Sequence, residues 1–97
     1  MEKGGYVYIM TNERHTVLYT GVTSDLARRV TEHKEGRGGA FTRKYNAHVL
    51  VFAESFNNIV DAINAEKRIK GGSRSRKIAL INKQNPEWKD LSEAIPW

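Results

Sequence analysis

The strongest structural signal in this chain is a change of hydrophobic period within residues 6–33, YVYIMTNERHTVLYTGVTSDLARRVTEH. Two runs rich in β-branched and aromatic residues flank the polar segment NERH, a pattern typical of a hairpin with a short loop. The segment that follows changes to a helical period, because Leu26 and Val30 lie four residues apart. We therefore predict two paired strands followed directly by a helix.

Further along, glycine-rich breaks alternate with apolar runs. Ser24 or Asp25 can cap the first helix, and Gly36 can end it. The segment RGGAFTRKYN is predicted as a flexible loop, since three glycines fall within residues 36–39, and AHVLVFAESF as a third strand. A second helix is predicted from Asn57 until GGS breaks it, and RSRKIALINKQ predicts a last short helix.

The order strand, strand, helix, strand, helix, helix predicts an α+β fold in which helices pack against a sheet. At 97 residues the chain suits one domain over 1–97, with a core of about 5–84 and a tail over 85–97. No segment approaches the roughly 18 apolar residues of a membrane helix, and the N-terminus lacks the pattern of a secretory leader. A cytoplasmic location without membrane contact is therefore expected. The absence of cysteine leaves oxygen and imidazole as metal ligands.

Positive charge is clustered along the chain, which has a formal net charge of +5. Residues 28–44 hold six basic against two acidic residues, and residues 66–83 hold seven against one. Such clusters are typical of proteins that bind nucleic acid, although a solvated surface would look the same. The side chains predicted to contact phosphates are Arg28, Arg37, Arg43, Lys44, Lys67, Lys70, Arg74, Arg76 and Lys77.

Tyrosines are concentrated in the predicted hairpin. A period of two places Tyr6, Tyr8 and Met10 on one face of the first strand, and Tyr19 shares a face with Gly21 on the second. If these faces coincide, two phenols and a glycine form a shallow floor that a phosphate backbone can approach closely. A tyrosine pair across a hairpin is also ordinary packing, so the phenols alone do not decide the function.

Three side chains on the predicted helices add chemistry to this floor. Arg29 and His33 are four residues apart, so both can lean over the hairpin, and a guanidinium binds phosphate oxygens bidentately. Glu66 falls on the apolar stripe of the second helix, between Ile63 and Ile69, where an ionised carboxylate needs a partner. That partner is either a basic group such as Arg29 or a hard cation bound through oxygen.

These residues resemble the motifs of the GIY-YIG nuclease superfamily. YVY and YTG match its two triplets, and TSDLARRVTEH follows directly. The segments FTRKYN, LVFAESF, EKRIKG and SRKIALINKQNPEWKDL are similar to those of small stand-alone bacterial members, which are YhbQ-like or resemble the amino-terminal domain of UvrC. The resemblance covers about residues 5–91. It implies a central three-stranded antiparallel sheet flanked by helices.

The resemblance also implies catalytic roles and a cofactor. It assigns Tyr8, Tyr19, Arg29, His33 and Glu66 to catalysis, with Glu66 holding one Mg²⁺ or Mn²⁺ ion. Arg29 would neutralise charge on the phosphoryl oxygens, one tyrosine (Tyr8 in our assignment) would take the proton of the attacking water, and the other would position water or phosphate. A phenol has an ordinary pKa near 10, so this base role requires Arg29 or the metal to lower the pKa.

Some positions depart from the family pattern or carry open assignments. Tyr6, Val7 and Thr20 replace triplet residues that mainly shape strands, so we expect these changes to be tolerated. Gly71 and Gly72 stand where relatives commonly have bulkier residues, which leaves the helix end and the substrate surface open. The family often has a late asparagine near the metal, for which Asn82 and Asn85 are both candidates. Trp88 is interpreted as a packing anchor, with base stacking as the alternative, and Trp97 as a frayed end.

The sequence therefore predicts a metal-dependent endonuclease that acts on DNA, or on structured RNA, with low sequence specificity and a place in DNA repair or processing. The first alternative is a nucleic-acid-binding protein that keeps the fold without hydrolysing its ligand. The second is an interaction module whose basic surface meets an acidic protein. The oligomeric state, monomer or weak dimer, stays open.

Overall fold

The computed structural model describes residues 4–94, and the three strands in that range form one antiparallel sheet. β1 is central: it pairs with β2 as a hairpin in which Tyr8 lies opposite Gly21, and with β3 so that Tyr8 lies opposite Ala53. The strand bounds are β1 Gly5–Thr11, β2 Leu18–Thr23 and β3 Val49–Phe56. The predicted α+β fold with a three-stranded antiparallel sheet is confirmed.

Four α-helices and a short 3-10 helix complete the described part of the chain. Three of the helices begin at side-chain caps, because Asp25, Asn58 and Ser73 each accept a hydrogen bond from a backbone N–H in the first turn. No helix within residues 4–94 is long and apolar enough to cross a membrane. The helix bounds are α1 Leu26–Lys34, α2 Ala40–Lys44, α3 Ile59–Lys70, α4 Arg74–Gln84 and the 3-10 helix Leu91–Ala94.

The predicted flexible loop after α1 was wrong in its centre, where α2 forms. Gly36 has a φ of +77° and Gly39 a φ of +136°, so these glycines permit the turns between α1 and α2. Thr42 is buried and lies within hydrogen-bond distance of His33 on α1, which orders the segment. A helix of five residues is too short to show an apolar period in the sequence.

The two faces of the sheet are covered by different helices. Tyr8 and Met10 point to the face covered by α1, where Leu26 and Val30 pack against them. Val7 and Ile9 point to the opposite face, and their neighbours there are Ala62, Ala65 and Ile81 of α3 and α4. Each buried valine, leucine or isoleucine side chain contributes roughly 1.5–3 kcal/mol. We call these the α1 face and the α3/α4 face.

The segment after α4 folds back onto β3. Asn85 is buried, and its amide donates to the carbonyl oxygens of Val51 and Lys89 at 3.1 and 2.8 Å. Trp88 donates to Asn82 at 2.7 Å and packs against the α3/α4 face, as expected for a packing anchor. Both candidate late asparagines thus have structural partners. The prediction for residue 97 falls outside the described residues.

Candidate active site

A buried chain of hydrogen-bonded side chains lies at the centre of the α1 face. The Tyr8 hydroxyl is 2.9 Å from His33 Nε2, and His33 Nδ1 is 3.0 Å from Thr42 Oγ1. The Thr42 hydroxyl donates to the Gly39 carbonyl at 3.3 Å, so its oxygen accepts a hydrogen bond from Nδ1–H of His33. Nε2 of His33 then accepts a hydrogen bond from the Tyr8 hydroxyl. All three side chains are almost completely buried. These hydrogen bonds connect β1, α1 and α2.

Two glycines make room for the rings of Tyr8 and His33. A Cβ at Gly21 would overlap the phenol of Tyr8, and a Cβ at Gly38 would overlap the imidazole of His33. The open floor that the sequence predicted at Gly21 was therefore wrong, because the Tyr8 ring occupies the space over this glycine. The glycine of the YTG triplet allows close packing of a tyrosine rather than close approach of a phosphate.

Burial changes the titration of both rings. Burial raises the pKa of Tyr8 to about 12, and the neighbouring Arg29 only partly offsets this effect. Burial, and then the charge of Arg29, lowers the pKa of His33 to about 4. Arg29 alone therefore does not bring the pKa of Tyr8 below its ordinary value near 10, and a base role for Tyr8 would depend on the metal. At neutral pH Tyr8 is a protonated phenol and His33 a neutral imidazole.

Arg29 lies at the edge of the buried chain and is partly open to solvent. Its guanidinium donates to the Gly38 carbonyl at 2.7 Å and to Glu32 at 3.2 Å, and 32% of the side chain is exposed. Burial works to lower the pKa of Arg29, but hydrogen bonding to Tyr8 and Glu32 raises it overall. Arg29 is therefore a fixed positive charge with donors left for an anionic ligand.

Tyr19 continues the cluster towards solvent. Its ring lies edge-on to His33 at 5.4 Å and 6.3 Å from the ring of Tyr8, and it is only partly buried. On its other side Phe41 follows at 5.9 Å, and Tyr45 lies 4.8 Å beyond Phe41. Phe41 is 42% and Tyr45 40% exposed. An aromatic surface on α2, which we call the α2 aromatic patch (Phe41 and Tyr45), thus extends from the buried rings.

Glu66 belongs to α3, which covers the face of the sheet opposite to Tyr8 and His33. It is half-buried, and it forms no hydrogen bond or ion pair within residues 4–94. Pairing with Arg29, one of the two predicted explanations for Glu66, is wrong because Arg29 pairs with Glu32. The fully buried positions of α3 are Ala62 and Ala65, so Glu66 lies at the edge of the apolar stripe.

The described residues hold no cluster of three or more acidic or imidazole side chains that could cage a metal ion. A lone carboxylate still fits Mg²⁺ or Mn²⁺, since Mg²⁺ usually keeps several waters and binds one or two carboxylates together with substrate phosphates. Glu66 meets this requirement because its carboxylate has no ion-pair partner within the described range. Any ion it holds would be completed by water and substrate.

The sheet separates the predicted phosphate-binding residues into two groups. Arg28, Arg37, Arg43 and Lys44 belong to the α1 face, and Lys67, Lys70, Arg74, Arg76 and Lys77 to α3 and α4. In the first group, Arg28 pairs with Glu32 at 3.7 Å and Arg37 with Glu35 at 3.1 Å. The two basic runs therefore do not form one continuous surface on the α1 face.

Sequence reasoning missed the contribution of α2 to the site. Thr42 fixes His33, and Phe41 and Tyr45 extend the ring cluster, yet the segment FTRKYN was interpreted only as a loop with two cations. The alternation of aromatic and basic residues in FTRKY was the available signal, because nucleic-acid-binding surfaces combine the two. Gly38 carried no signal beyond flexibility.

Comparisons with known proteins agree with this arrangement. The model of the GIY-YIG catalytic domain matches residues 4–84. With a central strand bearing Tyr8, a hairpin partner bearing Tyr19 and Gly21, and a following helix bearing Arg29, the chain belongs to the GIY-YIG family.

Within this family the chain is similar to the small UPF0213 proteins. The relative from Pediococcus pentosaceus is 38% identical over 80 residues, which are 82% of this chain and 83% of the relative. The relative from Oceanobacillus iheyensis is 36% identical over 87 residues, 90% of this chain and 100% of the relative. The solution NMR structure of a UPF0213 protein from Bacillus halodurans has a TM-score of 0.58 at 29% identity and covers 93% of this chain and 95% of its own. The resemblance to small GIY-YIG proteins is confirmed.

Proposed function

We propose that this protein is a metal-dependent endonuclease that hydrolyses phosphodiester bonds in DNA, or in structured RNA, with low sequence specificity. The observation that carries the proposal is that the partly exposed Tyr19 and Arg29 flank a fully buried Tyr8–His33 pair. A merely structural hairpin has no need of a charged guanidinium held against a buried phenol. Repair or processing of DNA is the kind of process that such an activity would serve.

Arg29 is the group that would bind the scissile phosphate. Its contacts with the Gly38 carbonyl and Glu32 fix the direction of the guanidinium before substrate arrives. A preorganised positive charge stabilises the negative charge that develops on the phosphoryl oxygens in the transition state. The Tyr8 oxygen, held by His33, supports the same guanidinium from the buried side.

We assign the two tyrosines different roles. Tyr19 is the phenol that solvent and substrate reach, so Tyr19 would orient the attacking water through its hydroxyl oxygen. Tyr8 and His33 are positioning residues, because they are buried and act on the site through Arg29 and the Tyr19 ring. This assignment keeps the water-positioning role that the family resemblance implied for Tyr19, and it replaces the proton-accepting role of Tyr8 with a positioning role.

Glu66 is the residue that would hold Mg²⁺ or Mn²⁺. When bound, such an ion polarises a phosphate and stabilises the leaving oxygen. The support for this role is the half-buried carboxylate without an ion-pair partner within residues 4–94. Its position on α3, which covers the face opposite to the buried rings, favours a second candidate function, a nucleic-acid-binding protein without hydrolytic activity.

The α2 aromatic patch favours unpaired nucleotides next to the scissile phosphate. Stacking of a base on an exposed aromatic ring contributes about 1–3 kcal/mol and requires a base outside a duplex stack. Arg43 and Lys44 are exposed on the same helix, and the Lys44 ammonium lies 5.3 Å from the centre of the Tyr45 ring. Phosphates can therefore lie beside bases stacked on the patch.

The test is cleavage of single-stranded, duplex and branched DNA and of structured RNA at low salt, with Mg²⁺, with Mn²⁺ and with EDTA. Glu66→Ala and Tyr19→Phe are compared with Glu54→Ala and Tyr6→Phe, matched changes elsewhere on the protein. We expect metal-dependent cutting by the parent protein and both controls, and loss of cutting in the two site variants. Salt-sensitive binding without cutting of any substrate would refute the nuclease and support the binding protein.

A further inference from the structure

An open groove lies on the protein surface between α3 and α4, away from the tyrosine cluster. The two helices meet at the turn through Gly71 and Gly72, and the groove has a volume of about 360 Å³. Its lining is mostly apolar, and the aliphatic residues in it, which we call its floor, are Ile69, Ala79 and Leu80. Ala79 is exposed, and Ile69 and Leu80 are only partly buried by the underlying core. The described fold therefore leaves this apolar floor open to solvent.

Positive charge surrounds this apolar floor. Arg68, Arg76, Lys77 and Lys83 line the groove, and none of them forms an ion pair within residues 4–94. By contrast, Lys34 on the α1 face pairs with Asp90 at 2.6 Å. The uncompensated charge at the groove matches an acidic ligand, and its apolar floor matches a ligand with large aliphatic side chains.

We propose that this groove, which we call the α3–α4 groove, docks an acidic amphipathic segment of a partner protein. Binding of an amphipathic helix between two helices uses an apolar floor for the anchors and charges at the rim for specificity. A single-stranded nucleic acid is a poorer fit, because surfaces that bind single strands use aromatic platforms and the groove lining contains no aromatic side chain. A duplex is a poorer fit as well, because its phosphate backbone would leave the apolar floor uncovered. The proposal does not depend on the nuclease activity.

The sheet separates the α3–α4 groove from the tyrosine cluster. The α3–α4 groove lies on the α3/α4 face, whereas Tyr19, Arg29 and the α2 aromatic patch lie on the α1 face. A partner can therefore bind without covering the phenols, Arg29 or the α2 aromatic patch. The basic run over residues 66–83 then serves protein recognition rather than phosphate binding.

The test uses two synthetic peptides of about 16 residues, long enough for four helical turns, with leucines at i, i+3, i+4 and i+7. One carries glutamate at the flanking positions and the other lysine. Binding is measured by fluorescence polarisation and by ¹H–¹⁵N chemical-shift mapping on the full chain. We expect the acidic peptide alone to bind, with shifts centred on Ile69, Ala79 and Leu80.

Two variants separate the groove from simple charge attraction. Arg68→Glu/Arg76→Glu reverses charge at the rim, and Ala79→Lys obstructs the floor while adding a positive charge. We expect each to weaken binding of the acidic peptide at least about tenfold, a change of 1.4 kcal/mol. Arg28→Glu/Arg43→Glu, a matched charge reversal on the α1 face, is expected to leave peptide binding unchanged.

Three results would overturn the proposal. The first is no shift at the groove with millimolar acidic peptide. The second is undiminished binding to Ala79→Lys, which would show attraction to charge alone. The third is a single-stranded oligonucleotide that shifts the groove residues and loses affinity in Arg68→Glu/Arg76→Glu, which would assign the surface to nucleic acid.

Discussion

His33 makes the stability of the protein depend on pH in a defined window. Its pKa is about 4 in the folded protein and about 6.5 in an unfolded chain, so the unfolded state binds a proton that the folded state does not. The contribution of His33 is complete above pH 6.5 and is lost as pH falls towards 4. We expect a loss of roughly 2–3 kcal/mol over this window, measured by urea unfolding at several pH values.

The control for this prediction is His33→Gln, which removes the titrating group. The variant is expected to be less stable at pH 7 but to show a much flatter dependence between pH 6.5 and 4. Asp90 has a lowered pKa, because hydrogen bonds from Lys34 and Ser92 outweigh its burial, so its contribution disappears only below about pH 4. An unchanged slope in His33→Gln would contradict the assignment of the window to His33.

The two tyrosines are predicted to respond differently to loss of the hydroxyl. Tyr8→Phe leaves the buried Nε2 of His33 without its donor, so we expect a loss of about 1–2 kcal/mol in the free energy of unfolding. Tyr19→Phe is expected to change stability by less than about 0.5 kcal/mol, as surface changes do, while lowering kcat. Urea unfolding and cleavage rates on the same samples check both. Equal losses of unfolding free energy in the two variants would contradict the different roles assigned to the two tyrosines.

At the level of secondary structure, the α2 aromatic patch can be removed by mutation while the residue of α2 that contacts His33 is kept. Phe41→Ser/Tyr45→Ser removes two exposed rings without touching Thr42, the residue of α2 that holds His33. Loss of stacking is expected to weaken binding of a single-stranded oligonucleotide about tenfold and to change duplex binding little. Fluorescence polarisation with both ligands checks this, and equal weakening of both would show that the patch does not contact bases.

The strands and helices also show which features of the fold could be predicted from the sequence. The strands and longer helices were predicted because their apolar residues repeat with a clear period, as Leu26 and Val30 do in α1. The five residues of α2 are ordered instead by tertiary contacts, chiefly Thr42 with His33, which no local pattern reveals. Likewise, the alternation along β1 and along β2 assigned Tyr8 and Tyr19 each to one face of its own strand, but the register is needed to bring the two faces together, and only packing shows that Gly21 accommodates the phenol.

At the scale of the whole molecule, the sheet divides the charge of the protein between two faces. The sequence predicted one nucleic-acid-binding set, because residues 28–44 and 66–83 are both basic and a linear pattern does not show which face each reaches. In the fold, the first run lies beside the tyrosines and the second rims the α3–α4 groove. The two runs are therefore expected to serve different ligands.

This division makes the salt dependence of nucleic-acid binding a test of the architecture. Each phosphate contact to a single strand contributes about 0.7 to the slope of log K against log[salt], so Arg43→Gln/Lys44→Gln should lower the slope by about 1.4. Lys70→Gln/Arg74→Gln removes the same charge from α3 and α4 and is expected to leave the slope unchanged, because both residues belong to the helices that cover the α3/α4 face. Titration of a fluorescent single-stranded oligonucleotide from low to moderate salt measures both slopes. Equal reductions in the two variants would contradict this division, because they would mean that the oligonucleotide contacts both faces of the sheet. A reduction only in Lys70→Gln/Arg74→Gln would move the binding surface to the α3/α4 face and separate it from the tyrosines.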